Sequence, residues 1–292
     1  MTEKLIINIK TVLTALAAGG IGFFSMVCVL SQAFKGDIIL SQRIELGSIS
    51  IHYYGMIIGI AVLAAYWLIL KTRQGISKSE VETIFVYTVI CGFLGARIYH
   101  VIVEFGRYAA SPAEILAVWN GGLSIFGAMI GGMLGLWLYV RKGKNYSLWM
   151  LLDWIAPAVA LGQIIGRFGN FVNYELYGSP TDVIWRMFVP EDFRMPGYES
   201  FQFFHPLFLY EIGGLIVIFV LLMRLKLGTG KVFLLWLVLY NLMRFFLEFL
   251  RVDSIFISGV RLNALVALAL AAAGIYLWHR LGKNTSSINT KE

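Results

Sequence analysis

The 292-residue chain is 59% hydrophobic and only 14% charged, with a mean hydropathy of +0.76; soluble domains carry about 25% charged residues, so a water-soluble globular protein is excluded. The formal charge of +7 does not call for nucleic acid, because the basic residues fall between apolar runs, where membrane topology accounts for them. Zinc-ligand spacing, a phosphate-cradling nucleotide loop and a basic-aromatic array are all missing from the sequence.

A helix needs about 20 apolar residues to cross roughly 30 Å of hydrocarbon. Runs of that kind occupy 11–33, 52–70, 82–103, 121–140, 148–166, 205–225, 232–250 and 260–279. They predict an all-α fold, a polytopic integral membrane helical bundle of seven core transmembrane helices plus an extra N-terminal helix. Cys28 and Cys91 lie inside such runs, which argues against a disulfide and against a cysteine nucleophile. The first run follows Lys4 and Lys10, as a signal anchor or a signal peptide would; no clear small-x-small cleavage site surrounds Ser31-Gln32-Ala33, so a retained helix is favoured.

Lys71, Arg73 and Lys78 follow the second run, Arg141, Lys142 and Lys144 the fourth, Arg224, Lys226 and Lys231 the sixth, and Arg280 and Lys283 the last. If every run spans once, these connections share one side, and short Lys/Arg-rich loops stay cytoplasmic. The C-terminus is therefore expected inside, with 34–51, 104–120, 167–204 and 251–259 on the outer face. The chain divides into the extra helix (1–37), a membrane domain (38–280) with a polar outer arm at 179–204, and a polar cytoplasmic tail (281–292).

Polar residues then appear where hydrocarbon should forbid them. His52-Tyr53-Tyr54-Gly55 opens the second run at the outer boundary, and Arg97 and His100 share a face near the outer end of the third. Gly121 and Gly122 precede a stripe of Gly127, Gly131 and Gly135, whose spacing of four lets a neighbouring helix approach closely; Gly121 and Gly122 could also leave backbone open to a lipid head group. After the fifth run, residues 166–178 gather Arg167, Asn170, Asn173, Glu175 and three glycines. His205-Pro206 begins the sixth helix, followed by Tyr210 and Glu211. In the seventh, Tyr240, Arg244, Glu248 and Arg251 fall within roughly 80° on one helical stripe, either a self-neutralising ladder or a binding face. Arg167, Arg244, Arg97, His52, His100, His205, Tyr54, Tyr210, Asn170 and Glu175 all map to the outer third of the bilayer. Cations and donors at that depth suit a lipid phosphate, which the guanidinium fork matches, so an enzyme or a transporter handling lipid is indicated.

At these residues the sequence resembles the bacterial prolipoprotein diacylglyceryl transferases. The likeness is carried by Gly166-Arg167-Phe168-Gly169-Asn170-Phe171 with Asn173, Glu175 and Gly178; by Asp153, Ala156-Pro157 and Leu161-Gly162-Gln163; by His52-Tyr53-Tyr54-Gly55, Gly95-Ala96-Arg97 and Trp119-Asn120-Gly121-Gly122; and by His205-Pro206, Leu209-Tyr210-Glu211 and Arg244-Phe245 with Glu248 and Arg251. It implies an inner-membrane enzyme, active toward the outer leaflet, that moves the diacylglyceryl group of phosphatidylglycerol to the lipobox cysteine of a preprolipoprotein signal peptide and releases glycerol 1-phosphate. No metal or organic cofactor is implied. Arg167 and Arg244 are expected to stabilise the leaving phosphate, Glu175 and a base to assist. Asn170, Asn173, His52, Tyr54, Gly121, Gly122, His205, Tyr210, Glu211, Tyr240, Glu248 and Arg251 are expected to shape the substrate site. Many family members place a histidine where this chain has Phe126; His100 is a candidate base, with His205 or a base from solvent or substrate as alternatives. An anionic-lipid transporter or flippase and a non-catalytic lipid- or signal-peptide-binding paralog are the competing functions. The arm is expected to move over the site and admit the signal peptide.

Overall fold

A computed structural model describes residues 5–7, 21–46, 49–73, 75–142, 146–225 and 228–289. Residues 11–20 of the first run, Lys4, Lys10, Lys144, Lys226 and residues 290–292 of the tail lie outside them. Among the described residues nine α-helices follow in order: α1 (Ile21–Lys35), α2 (Tyr53–Thr72), α3 (Lys78–Val103), α4 (Phe105–Ala110), α5 (Ile125–Arg141), α6 (Leu148–Val172), α7 (Leu207–Met223), α8 (Lys231–Glu248) and α9 (Leu262–Asn289). Helices α2, α3, α6 and the Leu262–Leu281 part of α9 are long and apolar enough to cross a membrane, and α5 and α7 are shorter apolar helices. Helix α8 carries Lys231, Arg244 and Glu248 within its 18 residues. This is a polytopic helical membrane protein.

Two helix ends differ from the sequence expectation. Helix α6 continues to Val172, so the 166–171 motif is its last turns rather than the start of a connection. Helix α9 continues to Asn289, because no proline interrupts the polar residues after the apolar run. The connections also hold four two-stranded ribbons: β1 (Leu5–Ile7) parallel to β2 (Ile38–Leu40), and antiparallel pairs of β3 (Arg43–Leu46) with β4 (Ile49–His52), β5 (Met187–Phe188) with β6 (Phe203–Phe204) and β7 (Phe256–Ile257) with β8 (Val260–Arg261). These ribbons pair backbone groups that the helices leave unpaired.

The chain forms two compact units, one of 1–65, 156–225 and 234–292, the other of 66–155 and 226–233. In the first, Ala33, Leu40, Tyr53, Phe171, Tyr174, Met187, Val189, Phe204 and Phe208 form one buried cluster. Phe34 of α1 lies against the rings of Phe171 and Phe208, at 5.3 and 6.0 Å, so the end of the extra helix shares a core with the motif in α6.

The second unit packs Val81, Ile84, Leu136, Tyr139, Leu151 and Trp154 together. Its α3 and α5 meet through glycine: a Cβ on Gly131 would run into the Cys91 carbonyl, and one on Gly135 would stand 2.5 Å from the Tyr87 carbonyl oxygen. Both obstacles are backbone, which cannot swing away. Gly131→Leu should therefore destabilise the protein by about 1–3 kcal/mol or more, as overpacking does, read as a lower thermal midpoint in detergent. An unchanged midpoint would mean that the two helices separate without cost.

Asp153, fully buried in α6, fixes the start of α8. Its Oδ2 accepts from the backbone N–H groups of Gly228, Thr229 and Gly230 at 2.9, 2.9 and 2.8 Å, and Oδ1 from that of Phe233 at 2.9 Å. One carboxylate thus satisfies four donors at a helix N-terminus, where negative charge is also favoured by the helix dipole.

Candidate active site

The motif at the end of α6 works because a helix sets Arg167 and Asn170 three residues apart on one face. Arg167 Nη1 donates to Asn170 Oδ1 at 3.0 Å, and Asn170 Nδ2 donates to Glu175 Oε1 at 2.8 Å. Asn170 is buried, and the acidic partner returns to it because Tyr174 and Leu176 adopt left-handed backbone (φ +52° and +56°) just past the helix. Tyr174 is pinned by the Leu40 N–H on its hydroxyl at 2.7 Å. Gly169 makes room for Tyr54, since a Cβ there would stand 2.6 Å from that ring, and Tyr54 lies within electrostatic reach of Glu175 and Arg167. Gly178 is needed for close approach: its N–H bonds the His205 carbonyl at 2.9 Å, and a Cβ would meet the His205 side chain at 2.7 Å.

Glu211 of α7 joins this face to α8. Glu211 is 2% exposed, and its carboxylate lies between two guanidiniums, Arg167 through Nε and Arg244 through Nη1 at 2.5 Å. Arg244 Nη2 reaches Glu248 at 3.4 Å, and Arg251 Nε lies 3.7 Å from the same carboxylate and 2.8 Å from Asp253. Tyr240 accepts a long bond from Arg167 Nη2, 3.4 Å, and stacks on Trp236. The ladder expected along α8 is present, and Glu211 extends it across to α6. Burying these charges unpaired would be costly. A guanidinium has five N–H donors; Arg167 spends two on Asn170 and Tyr240 and pairs with Glu211 by charge, and Arg244 spends two on Glu211 and Glu248, so both keep donors for an incoming anion.

His205 and Tyr210 form a second group in the same unit. Trp185 Nε1 donates to the Tyr210 hydroxyl at 2.8 Å, which leaves the phenolic proton for His205 Nδ1 at 2.9 Å. Burial lowers the His205 pKa below its ordinary 6.5, because the charged ring loses water. Well above that ordinary value the ring is neutral in folded and unfolded chain alike and has no pH-dependent effect. As pH falls through it, the unfolded chain takes up a proton that the folded one refuses, and stability drops. Thermal unfolding near pH 5.5 compared with about pH 7.5 should show this loss, smaller in His205→Gln; an equal loss in both would assign it to other groups.

Other expected residues are placed differently. His52 is exposed on β4 opposite Arg43, and Asn173 is half-buried, its carbonyl accepting from Gln42 Nε2 at 3.1 Å. Arg97, His100, Gly121, Gly122 and Phe126 belong to the second unit. There Arg97, 7% exposed, donates to the carbonyls of Ile115, Gly121 and Gly122 at 2.9, 2.7 and 2.8 Å and to that of Glu114. Positive φ at Gly121 and Gly122 (+86° and +79°) accompanies this inward turn of their carbonyls, so those oxygens are spent on Arg97. His100 sets its ring edge-on to Tyr108 at 5.8 Å, and its buried Nε2 has no hydrogen-bond partner among the described residues. Phe126 is 65% exposed beside Tyr99.

Sequence reasoning missed three partners. Asn263 Nδ2 donates to Glu248 Oε1 at 3.0 Å, Arg261 Nη1 to the Glu248 carbonyl at 2.9 Å, and Asp253 pairs with Arg251. The signal was present in Arg261 and Asn263 opening an apolar run.

Comparison with known proteins follows the same residues. The family model described as prolipoprotein diacylglyceryl transferase matches residues 42–280. Proteins named phosphatidylglycerol-prolipoprotein diacylglyceryl transferase are similar over most of their length. That of Thermotoga maritima is 39% identical over 268 residues, 89% of this chain and 91% of the relative. That of Synechococcus elongatus is 38% identical, covering 80% and 84%, and that of Fervidobacterium nodosum 35% identical, covering 94% of each.

Proposed function

The chain belongs to the prolipoprotein diacylglyceryl transferase family, and from that premise we propose that it transfers the diacylglyceryl group of phosphatidylglycerol to the lipobox cysteine of preprolipoproteins. The reaction forms a C–S bond at the glycerol carbon that bears the phosphate ester and breaks the C–O bond to phosphate. Glycerol 1-phosphate leaves, and the thiol proton passes to a base. The enzyme works in the bacterial inner membrane, with its site toward the outer leaflet and its C-terminus in the cytoplasm.

One observation carries the reading: Arg167 and Arg244, from two helices, converge on a single buried carboxylate while keeping N–H donors unspent. Charge grows on the departing phosphate in the transition state, and preorganised cations stabilise it there more than in the ground state. Glu211 and Glu248 hold the two guanidiniums at a fixed separation, Asn170 and Glu175 orient Arg167, and Tyr240 and Tyr54 supply further donors. Sulfur attacks as thiolate, and a free cysteine has a pKa near 8.5, so a base or a positive field assists.

This chain has Phe126 where the family resemblance places a histidine, and from the sequence we propose as the base His100, whose Nε2 has no hydrogen-bond partner among the described residues. Mass spectrometry of a lipobox peptide incubated with phosphatidylglycerol tests this. Wild type should add the diacylglyceryl mass, His100→Ala should lose most of the rate, and Phe126→His should restore it in the His100→Ala background. Full activity in His100→Ala would remove His100 from the chemistry. No mass gain with wild type would favour the non-catalytic paralog.

A further inference from the structure

The end of α1 and the arm border an open cavity of about 360 Å³ that shares no lining residue with the arginine network; Ser31, Phe34 and Lys35 line it from the helix, Ile184, Trp185, Arg186 and Phe203 from the arm. Its two cations differ. Arg186 is held in place, 2.6 Å from Asp182 and 4.2 Å over the Phe203 ring. Lys35 is exposed and has no ion-pair or hydrogen-bond partner among the described residues. With Asp182 counted, the cavity keeps an excess of one positive charge.

At its rim the apolar residues are turned outward. Ile184 is 98% exposed and Trp185 56%, although the Trp185 indole N–H is fixed on Tyr210. A lysine in the last turn of a helix is favoured by the helix dipole alone, but that does not account for an isoleucine and a tryptophan left in the open beside it. Cations flanked by an aromatic and an aliphatic side chain are what a membrane interface selects: phosphate for the charges, acyl chain for the rest.

We propose that this cavity is an accessory subsite for the head group of an anionic phospholipid. Lys35 and Arg186 face the phosphate, the Ser31 hydroxyl offers a donor, and Ile184 and Trp185 sit beside the acyl chains. The subsite is non-covalent and independent of turnover.

Full-length protein is reconstituted in nanodiscs of phosphatidylglycerol or phosphatidylcholine carrying brominated acyl chains, and the Trp185 contribution to fluorescence quenching is taken by difference from Trp185→Phe, with Trp185→Tyr as a second reference. Quenching of Trp185 should be stronger in phosphatidylglycerol. Lys35→Gln should lower that head-group preference by on the order of fivefold, the effect of one basic residue at an anionic surface, while Lys35→Arg keeps it. Transferase turnover of Lys35→Gln should equal that of wild type. Equal quenching in the two lipids, or a preference untouched in Lys35→Gln, would overturn the subsite. Because quenching needs no chemistry, failure here is distinct from failure of the transferase reading.

Discussion

Arg244→Gln is expected to lower kcat/KM for diacylglyceryl transfer by about 10²–10³-fold, the loss typical when one preorganised donor to a developing anion is removed. Arg244 holds Glu211 at 2.5 Å and Glu248 at 3.4 Å. Removing it takes one charge from the phosphate and leaves Glu211 facing Arg167 alone. Initial rates across phosphatidylglycerol concentration separate the two ways in which it could act. If Arg244 acts on the leaving group, the loss falls in kcat; a rise in KM with kcat unchanged would assign it to ground-state binding. Arg244→Lys should recover only part of the rate, because a point charge cannot bridge two carboxylates as the planar fork does.

The second large effect is on stability. Asp153→Ala strands four backbone N–H groups, of Gly228, Thr229, Gly230 and Phe233, at the start of the helix that carries Arg244. Leaving a buried backbone donor without its acceptor costs about 1–3 kcal/mol, which should appear as a lowered unfolding midpoint in detergent and less folded protein in the membrane. Asp153→Asn keeps one acceptor oxygen and should fall between. A midpoint unchanged in Asp153→Ala would show that the 228–233 segment is held by other contacts.

Much of this was legible in the sequence, and for definite reasons. Hydrocarbon makes long apolar runs and punishes stray charge, so the helices and the Tyr240–Arg251 stripe declare themselves by length and period. What spacing could not give was Glu211 between the two arginines, because that contact joins residues 44 and 33 positions apart on helices whose mutual rotation is set by packing. Asn263 and Arg261 were hidden likewise: their partner, Glu248, is on the preceding helix. The backbone of Gly121 and Gly122 reads from sequence as open to a lipid head group; that their carbonyls both accept from Arg97 is a contact between segments that spacing does not reveal. The run-on of α6 to Val172 escaped notice because polar residues in its last turns resemble the start of a loop, while their partners, Glu175 and Glu211, make them tolerable inside a helix.

The most direct measurement is release of glycerol phosphate by the purified protein supplied with phosphatidylglycerol and a lipobox peptide. Release should match peptide thioether one for one, cease when the lipobox cysteine is replaced by serine, and fall in step with turnover in Arg244→Gln. A correctly folded sample that binds both substrates and releases no glycerol 1-phosphate would contradict the transferase account.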